Sequence, residues 1–368
     1  MRSLGLDVFR SLSIFVVVLA HTLYFFEPEY PVLVQFINNI GHWGVDFFFV
    51  LSGYLIGRIM IKMLQGKDET KKIGYFLIRR WLKTLPNYYL VLAFVFIFID
   101  FPNDYLNYIF FLKGIIDSGP NIFGVSWSLF IEEIFYLVCT IVLYILFMSG
   151  TANIKQFLLT FCFFIILFSI GIRLLVYIID PVTEYSGLFW RAYLRLDAPI
   201  FGLLLSVLKS YDTAAYKFLS QHKGKLFLIA IIFIGLSLDK HPNESMNPNH
   251  VVFVSSWGSA WFNNELFKNV FYFSASSIIS TFLLVNFINF PLITNKKFDQ
   301  FFSYISQSSY AVYLVHLLII QRLLKADINL PISFRILLAY FLIYTISYFL
   351  FQYFEKPILA FRDRRFVL

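Results

Sequence analysis

Residues 10–21 read Arg10-Ser-Leu-Ser-Ile-Phe-Val-Val-Val-Leu-Ala-His21. A helix rises about 1.5 Å and turns 100° per residue, so the step from Arg10 to His21 covers about 16 Å and close to three turns. Both side chains therefore fall on one face of one helix. A cation and an imidazole inside an otherwise apolar segment are costly to place there, and such residues mark functional sites. The span between them also suits a long ligand arm lying along the helix.

The rest of the chain extends this reading. Its 368 residues are 59% hydrophobic and 14% charged, with mean hydropathy +0.73. A soluble domain carries about 25% charged residues. Apolar stretches near 20 residues recur from end to end, the length that crosses a ~30 Å hydrocarbon layer. The 47 Phe and 23 Tyr suit lipid-facing surfaces and interfacial belts. The runs lack the ten-residue alternation of an outer-membrane barrel. The expected fold is an all-α polytopic membrane protein, a single membrane domain over 1–368.

Ten spans are expected, near 8–26, 44–64, 84–100, 124–148, 156–179, 190–208, 226–239, 269–289, 303–324 and 331–354. The seventh is short, and 106–117 reads as an interfacial or re-entrant piece. Lys and Arg crowd the 66–83 connection, the 209–225 connection and the tail, and are absent from 27–43 and 180–189. Positive-inside counting puts both termini in the cytoplasm. The formal charge of +8 follows from this topology rather than from nucleic-acid binding. Cys139 and Cys162 sit inside apolar spans as small buried hydrophobes. No CxxC, HExxH, Walker loop or dinucleotide fingerprint is present, so neither a metal site nor a bound cofactor is expected.

Counted from the nearer span ends, His21 and Arg195 lie about 8 Å below the outer face, and Glu132 and His316 about 12 Å below it. Four spans thus place ionisable groups in one outer-half layer, which reads as a shared aqueous pocket. Glu132 and Glu133 point about 100° apart, so one faces the pocket and the other pairs with a structural cation. Ser128, Glu132 and Tyr136 share a face at i, i+4 spacing. Arg191 and Arg195 have the same spacing, which suggests an anion between them; snorkelling to the interface is the alternative. His316 near a helix end has the alternative of bonding a carbonyl. Trp127 suits sugar stacking as well as an interfacial anchor.

Taken together, these residues resemble the acyltransferase-3 family of integral membrane proteins. Leu6-Asp7-Val8-Phe9-Arg10 with His21 is similar to the family's first-helix motif. Gly44-Val45-Asp46-Phe47-Phe48-Phe49-Val50-Leu51-Ser52-Gly53-Tyr54-Leu55-Ile56 is similar to its second-helix signature, in which Asp46, Ser52 and Gly53 stand out. Trp127-Ser128-Leu129 with Glu132, Arg195-Leu196-Asp197 with Gly202, Ser309–His316, and Glu355-Lys356-Pro357 resemble its later blocks. The resemblance implies acetyl-CoA as co-substrate from the cytoplasm and an acceptor hydroxyl outside. That acceptor would be a glycan or lipid-linked sugar, or in some relatives a small molecule. It further implies residence in the bacterial cytoplasmic (inner) membrane. Some relatives add a soluble hydrolase-like domain, and the end at Leu368 leads us to expect none here.

On this reading His21 is the general base, with Glu132 orienting it. Arg195, Trp127 or backbone amides stabilise the tetrahedral intermediate, with Arg191, Asp197 and His316 nearby on the acceptor side. Arg10 and the basic 66–83 connection, including Arg79 and Arg80, hold the donor's phosphates. The alternative is a proton-coupled transporter or flippase of a lipid-linked glycan, which uses the same residue types. Against it stands the absence of a twofold repeat or of paired broken helices.

Overall fold

The computed structural model describes residues 3–26, 31–66, 71–99, 101–112, 123–150, 153–179, 191–237, 266–290, 295–326 and 330–368, with 31–40 and 192 as backbone only. The expected connection at 180–189, and a polar connection expected near 240–268 as far as residue 265, lie outside the described residues. Every regular element among the described residues is helical. In chain order they are α1 (Leu4–Thr22), α2 (Pro31–Gln65), α3 (Lys71–Phe98), α4 (Tyr105–Ile109), α5 (Ser126–Ser149), α6 (Ile154–Ile179) and α7 (Asp197–Ser210). There follow α8 (Ala214–Gln221), α9 (Lys223–Ser237), α10 (Tyr272–Ile288), α11 (Lys296–Lys325), α12 (Ile332–Phe349) and α13 (Lys356–Arg365). π-turns at Phe267–Phe271 and Leu350–Glu355 lead into α10 and out of α12.

Seven helical stretches among the described residues are long and apolar enough to cross a membrane: Leu4–Phe26, Gly41–Gln65, Lys71–Phe98, Ser126–Ser149, Ile154–Ile179, Phe267–Ile288 and Ile332–Arg365. The chain is therefore a multi-pass helical membrane protein. The α8–α9 pair passes the same test together but bends by 73°. α7 has 14 residues, about 21 Å, too short for a ~30 Å layer by itself. α11 is 30 residues long but carries charge at both ends and a polar middle.

The expected span start at 44 agrees with the apolar stretch from Gly41, while the helix α2 itself begins at Pro31, where proline suits a first helical turn. Two expected span starts are corrected. α3 begins at Lys71 rather than 84, so Arg79, Arg80 and Lys83 ride on a helix instead of a loop. Their long stems and good helix propensity let the helix continue through the charged segment. The span expected from 190 starts its helix at Asp197, with Pro199 in the first turn, where a missing N–H costs nothing.

α1 packs along α2 and α11, and α2 also runs along α7. The close α2–α7 approach depends on glycine. A Cβ at Gly53 would stand 1.8 Å from the Pro199 carbonyl oxygen, and one at Gly202 would stand 1.9 Å from that of Val50. Without a hydrophobic drive between helices in lipid, such small residues are what allow backbones to pack. Asp7 ties α1 to α11 by accepting from Ser306 Oγ at 2.6 Å. α6, α9 and α12 turn Phe164, Ile232 and Phe341 outward, as lipid-facing helices do.

Candidate active site

Two adjoining cavities lie among α1, α2, α5 and α11, the first also against α3. The first has room for water centres of about 100 Å³ and is lined by Arg10, Ser52, Arg80, Lys83, Glu132 and Tyr136, with Ser128 and Tyr313 at one end. The second offers about 30 Å³ and is lined by His21, His42, Trp127 and His316, again with Tyr313. A water needs about 10–15 Å³ on this measure, so the second holds an object of two or three heavy atoms. Val45 and Tyr313 line both. Along each helix the order agrees: Arg10 precedes His21 on α1, and Tyr310 precedes His316 on α11.

The sequence expectation of one shared pocket is thereby corrected to two. Glu132 belongs with Arg10, while His21 belongs with His316. Tyr136 donates to Glu132 Oε2 at 2.9 Å and stands 3.3 Å from Ser52 Oγ. Ser128, Glu132 and Tyr136 do share one face of α5 and line one cavity. Glu132 as a direct orienter of His21 is corrected for the same reason: five residues of helix, about 7 Å, separate it from Trp127 at the second cavity.

Glu133 turns to α3, where Thr84 Oγ1 donates to its Oε1 at 2.6 Å. Its expected cation partner is instead a hydroxyl. The division gives a prediction. Glu132→Gln should remove most activity, because it cancels the carboxylate facing Arg10. Glu133→Gln should cost much less, since an amide oxygen still accepts from Thr84. Initial rates of the two purified proteins decide, and the reverse ranking would reject this face assignment.

In the second cavity the His21 and His316 rings meet edge to face with centroids 4.9 Å apart. His21 Nδ1 is 2.8 Å from Val17 O, and His316 Nδ1 is 2.7 Å from Tyr313 O. Nδ1–H donation to a carbonyl assigns the lone pair to Nε2 in each ring. His316 thus bonds a carbonyl, as its position near a helix end allowed, and also lines the cavity. Its buried Nε2 has no hydrogen-bond partner among the described residues. Trp127 lines this cavity beside the Phe49 ring, at 6.1 Å. Three histidines share the cavity. Among the described residues, however, no three His, Cys, Asp or Glu side chains converge as metal ligands.

Arg195 and Asp197 occupy buried ion pairs and line neither cavity. Arg195 Nη2 donates to Asp46, whose other oxygen accepts from Ser276 Oγ at 2.6 Å. The Arg195 guanidinium also lies 4.4 Å above the Phe273 ring. Asp197 accepts from Arg173 Nη2 at 2.8 Å and from Ser274 Oγ at 2.5 Å. Arg173 further donates to Leu194 O at 2.6 Å and Val270 O at 2.9 Å. The expected anion between Arg191 and Arg195 is corrected, because residues 192–194 form a 3-10 turn and the helix starts only at Asp197. The i, i+4 alignment therefore does not exist.

Arg79 is likewise drawn elsewhere. Its guanidinium bonds Asp363 Oδ1 at 2.8 Å and Phe366 O at 2.6 Å, which clamps the C-terminal segment onto α3. Arg80, the next residue, lines the first cavity. Lys83 also faces it and lies 3.7 Å from Glu355 Oε1, which the π-turn after α12 delivers, and Asn87 holds the other Glu355 oxygen at 2.8 Å.

Residues that the sequence reading gave no role include His42, Arg173 and Tyr313. His42 precedes Asp46 by one turn on α2, and starting that span at 44 left it in a loop. An arginine inside the apolar 156–179 run was the visible sign of Arg173.

A family model described as an acyltransferase domain matches residues 3–353. A Staphylococcus aureus (strain COL) protein provisionally named an O-acetyltransferase is 24% identical over 346 residues, covering 86% of this chain and 50% of that protein. The O-acetyltransferase OatA of Staphylococcus aureus (strain NCTC 8325 / PS 47) is 26% identical over 254 residues, covering 63% and 38%. The peptidoglycan O-acetyltransferase OatA of Listeria monocytogenes is 31% identical over 175 residues, covering 42% and 28%. The chain thus spans at most about half the length of these curated relatives. No solved structure matches it.

Proposed function

The chain belongs to this acyltransferase-domain family, and from that premise we propose that it is a membrane O-acyltransferase moving acetyl from acetyl-CoA to a hydroxyl of a cell-surface glycan or lipid-linked sugar. The observation that carries this reading is the pair of adjoining cavities, one cationic and one lined by imidazoles, joined at Val45 and Tyr313. Arg10, Arg80 and Lys83 suit an anionic donor at the first. A pantetheine arm following α1 covers the about 16 Å from Arg10 to His21. The second cavity suits an acetyl group by size. His21 Nε2 takes the acceptor's hydroxyl proton and returns it to the leaving thiolate.

The bent α8–α9 pair, α7 and α11 added to the seven apolar stretches support ten membrane-embedded elements. With the Lys and Arg asymmetry, this supports cytoplasmic termini and donor entry from the cytoplasm. Residence in a bacterial cytoplasmic membrane fits the bacterial relatives. A single cysteine at position 70 should then resist an impermeant thiol reagent in intact cells, and its labelling would reverse the orientation. The carrier alternative draws no support from the family match.

The deciding experiment mixes purified protein, acetyl-CoA and a panel of glycan acceptors, and follows release of the coenzyme A thiol. Release that depends on acceptor is expected. Arg10→Ala should weaken donor affinity more than acceptor affinity, and Arg10→Lys should restore only part, since a point charge lacks the bidentate fork. A folded protein that releases no thiol with any acceptor would reject the proposal.

A further inference from the structure

Tyr313 is the polar side chain common to the two cavities. It is buried on α11, and its hydroxyl lies 2.5 Å from Ser128 Oγ on α5. Either hydroxyl can donate in that bond. When Ser128 gives its one proton to Val125 O at 3.2 Å, the Tyr313 O–H is the donor. The phenol ring stands 5.6 Å from the His316 ring, which in turn meets His21. The Tyr313 carbonyl receives His316 Nδ1–H, so the phenol and the imidazole are held by one turn of one helix.

An acyl-transfer site needs a donor aimed at the oxygen that becomes negative. The sequence reading offered Arg195, but that guanidinium is engaged with Asp46 and the Phe273 face. An arm that passes from the Arg10 cavity to the His21 cavity must cross their common wall. Its terminal carbonyl arrives beside the hydroxyl in that wall.

We propose that Tyr313 is a catalytic residue whose O–H stabilises the oxyanion of the tetrahedral intermediate. The proposal rests on the acetyl-transfer reading given above. The acceptor oxygen bonds to the thioester carbon while its proton passes to His21 Nε2. The carbonyl electron pair moves onto oxygen, which accepts the Tyr313 O–H in place of Ser128 Oγ. Collapse re-forms the carbonyl and breaks the C–S bond, and the proton on His21 goes to the thiolate. Alcohol and thioester become ester and thiol with no other reactant. A phenol suits the task because it remains neutral and so adds no charge to a buried site.

The test compares wild type and Tyr313→Phe for kcat, donor KM and thermal unfolding in detergent, with acetyl-CoA and an acceptor the wild type uses. Loss of one oxyanion donor lowers kcat by about 100- to 1,000-fold. Donor KM and unfolding temperature should hold, since the ring remains. A phenylalanine variant with wild-type kcat would overturn the proposal, as would a loss seen wholly in donor KM. Should that variant fail to accumulate, 3-fluorotyrosine at 313 replaces it. This more acidic phenol of nearly the same shape should change kcat but not KM, and an unaltered kcat would overturn the role. A wild-type protein that consumes no acetyl-CoA would instead reject the parent reading, so the two failures are distinguishable.

Discussion

His21→Ala should abolish acetyl transfer while the protein still inserts and folds. An alcohol attacking a thioester must lose a proton, and a neutral imidazole whose Nδ1–H is bonded to a carbonyl offers its Nε2 lone pair to take it. General base catalysis contributes about 10²- to 10⁴-fold, and here the same ring also returns the proton to the thiolate. The fold should tolerate the change. The Nδ1 bond of His21 runs to Val17 O within its own helix, and the ring lines a cavity where it meets the His316 ring edge to face. Alanine gives up that ring contact and leaves the backbone bonds of α1 in place. The measurement is kcat of purified protein together with O-acetyl content of surface glycan, each normalised to protein present. Near-normal acetylation by a well-expressed His21→Ala protein would remove the base role and shift attention to His316, which lines the same cavity.

The largest loss of stability is expected from the buried pair between α6 and α7. Arg173 and Asp197 are both fully buried and 2.8 Å apart. Deleting one partner leaves an uncompensated charge in a low-dielectric interior, which costs about 3–5 kcal/mol. Asp197→Ala or Arg173→Ala should thus collapse the yield of folded protein and lower its unfolding temperature in detergent. Arg173 also donates to two backbone carbonyls while fully buried, so its loss leaves both to find new partners. The combined Arg173→Met and Asp197→Leu protein should recover part of the loss, because replacing a whole buried pair by apolar groups is often near neutral. Arg191→Ala provides the comparison, since that half-buried side chain sits before the helix begins. Equal losses for Arg191→Ala and Asp197→Ala would mean that the pair does not anchor the fold.

These two expectations draw on different kinds of legibility. The Arg10 to His21 spacing was readable because it lies within one helix, where periodicity alone sets which residues share a face. The same rule made Ser128, Glu132 and Tyr136 readable as one face of α5. It failed at Arg191 and Arg195, because residues 192–194 form a 3-10 turn and the α-helix starts only at Asp197.

Composition and hydropathy by themselves determined the solvent, the helical class and most of the long apolar segments, since a bilayer demands an apolar run of set length with every backbone group bonded internally. Local periodicity determined which face of α1 and α5 carries polar groups. The tertiary structure alone decided which faces meet. It divided the polar layer into two cavities, sent Glu132 to Arg10 and His316 to His21, and spent Arg195, Asp46, Arg173 and Asp197 on holding helices together. It also put Tyr313 in the wall between the cavities. The physical reason is that a hydrogen bond or ion pair between helices depends on crossing geometry. Here that geometry is set by close approaches such as Gly53 on Pro199, far along the chain from the groups whose neighbours it selects.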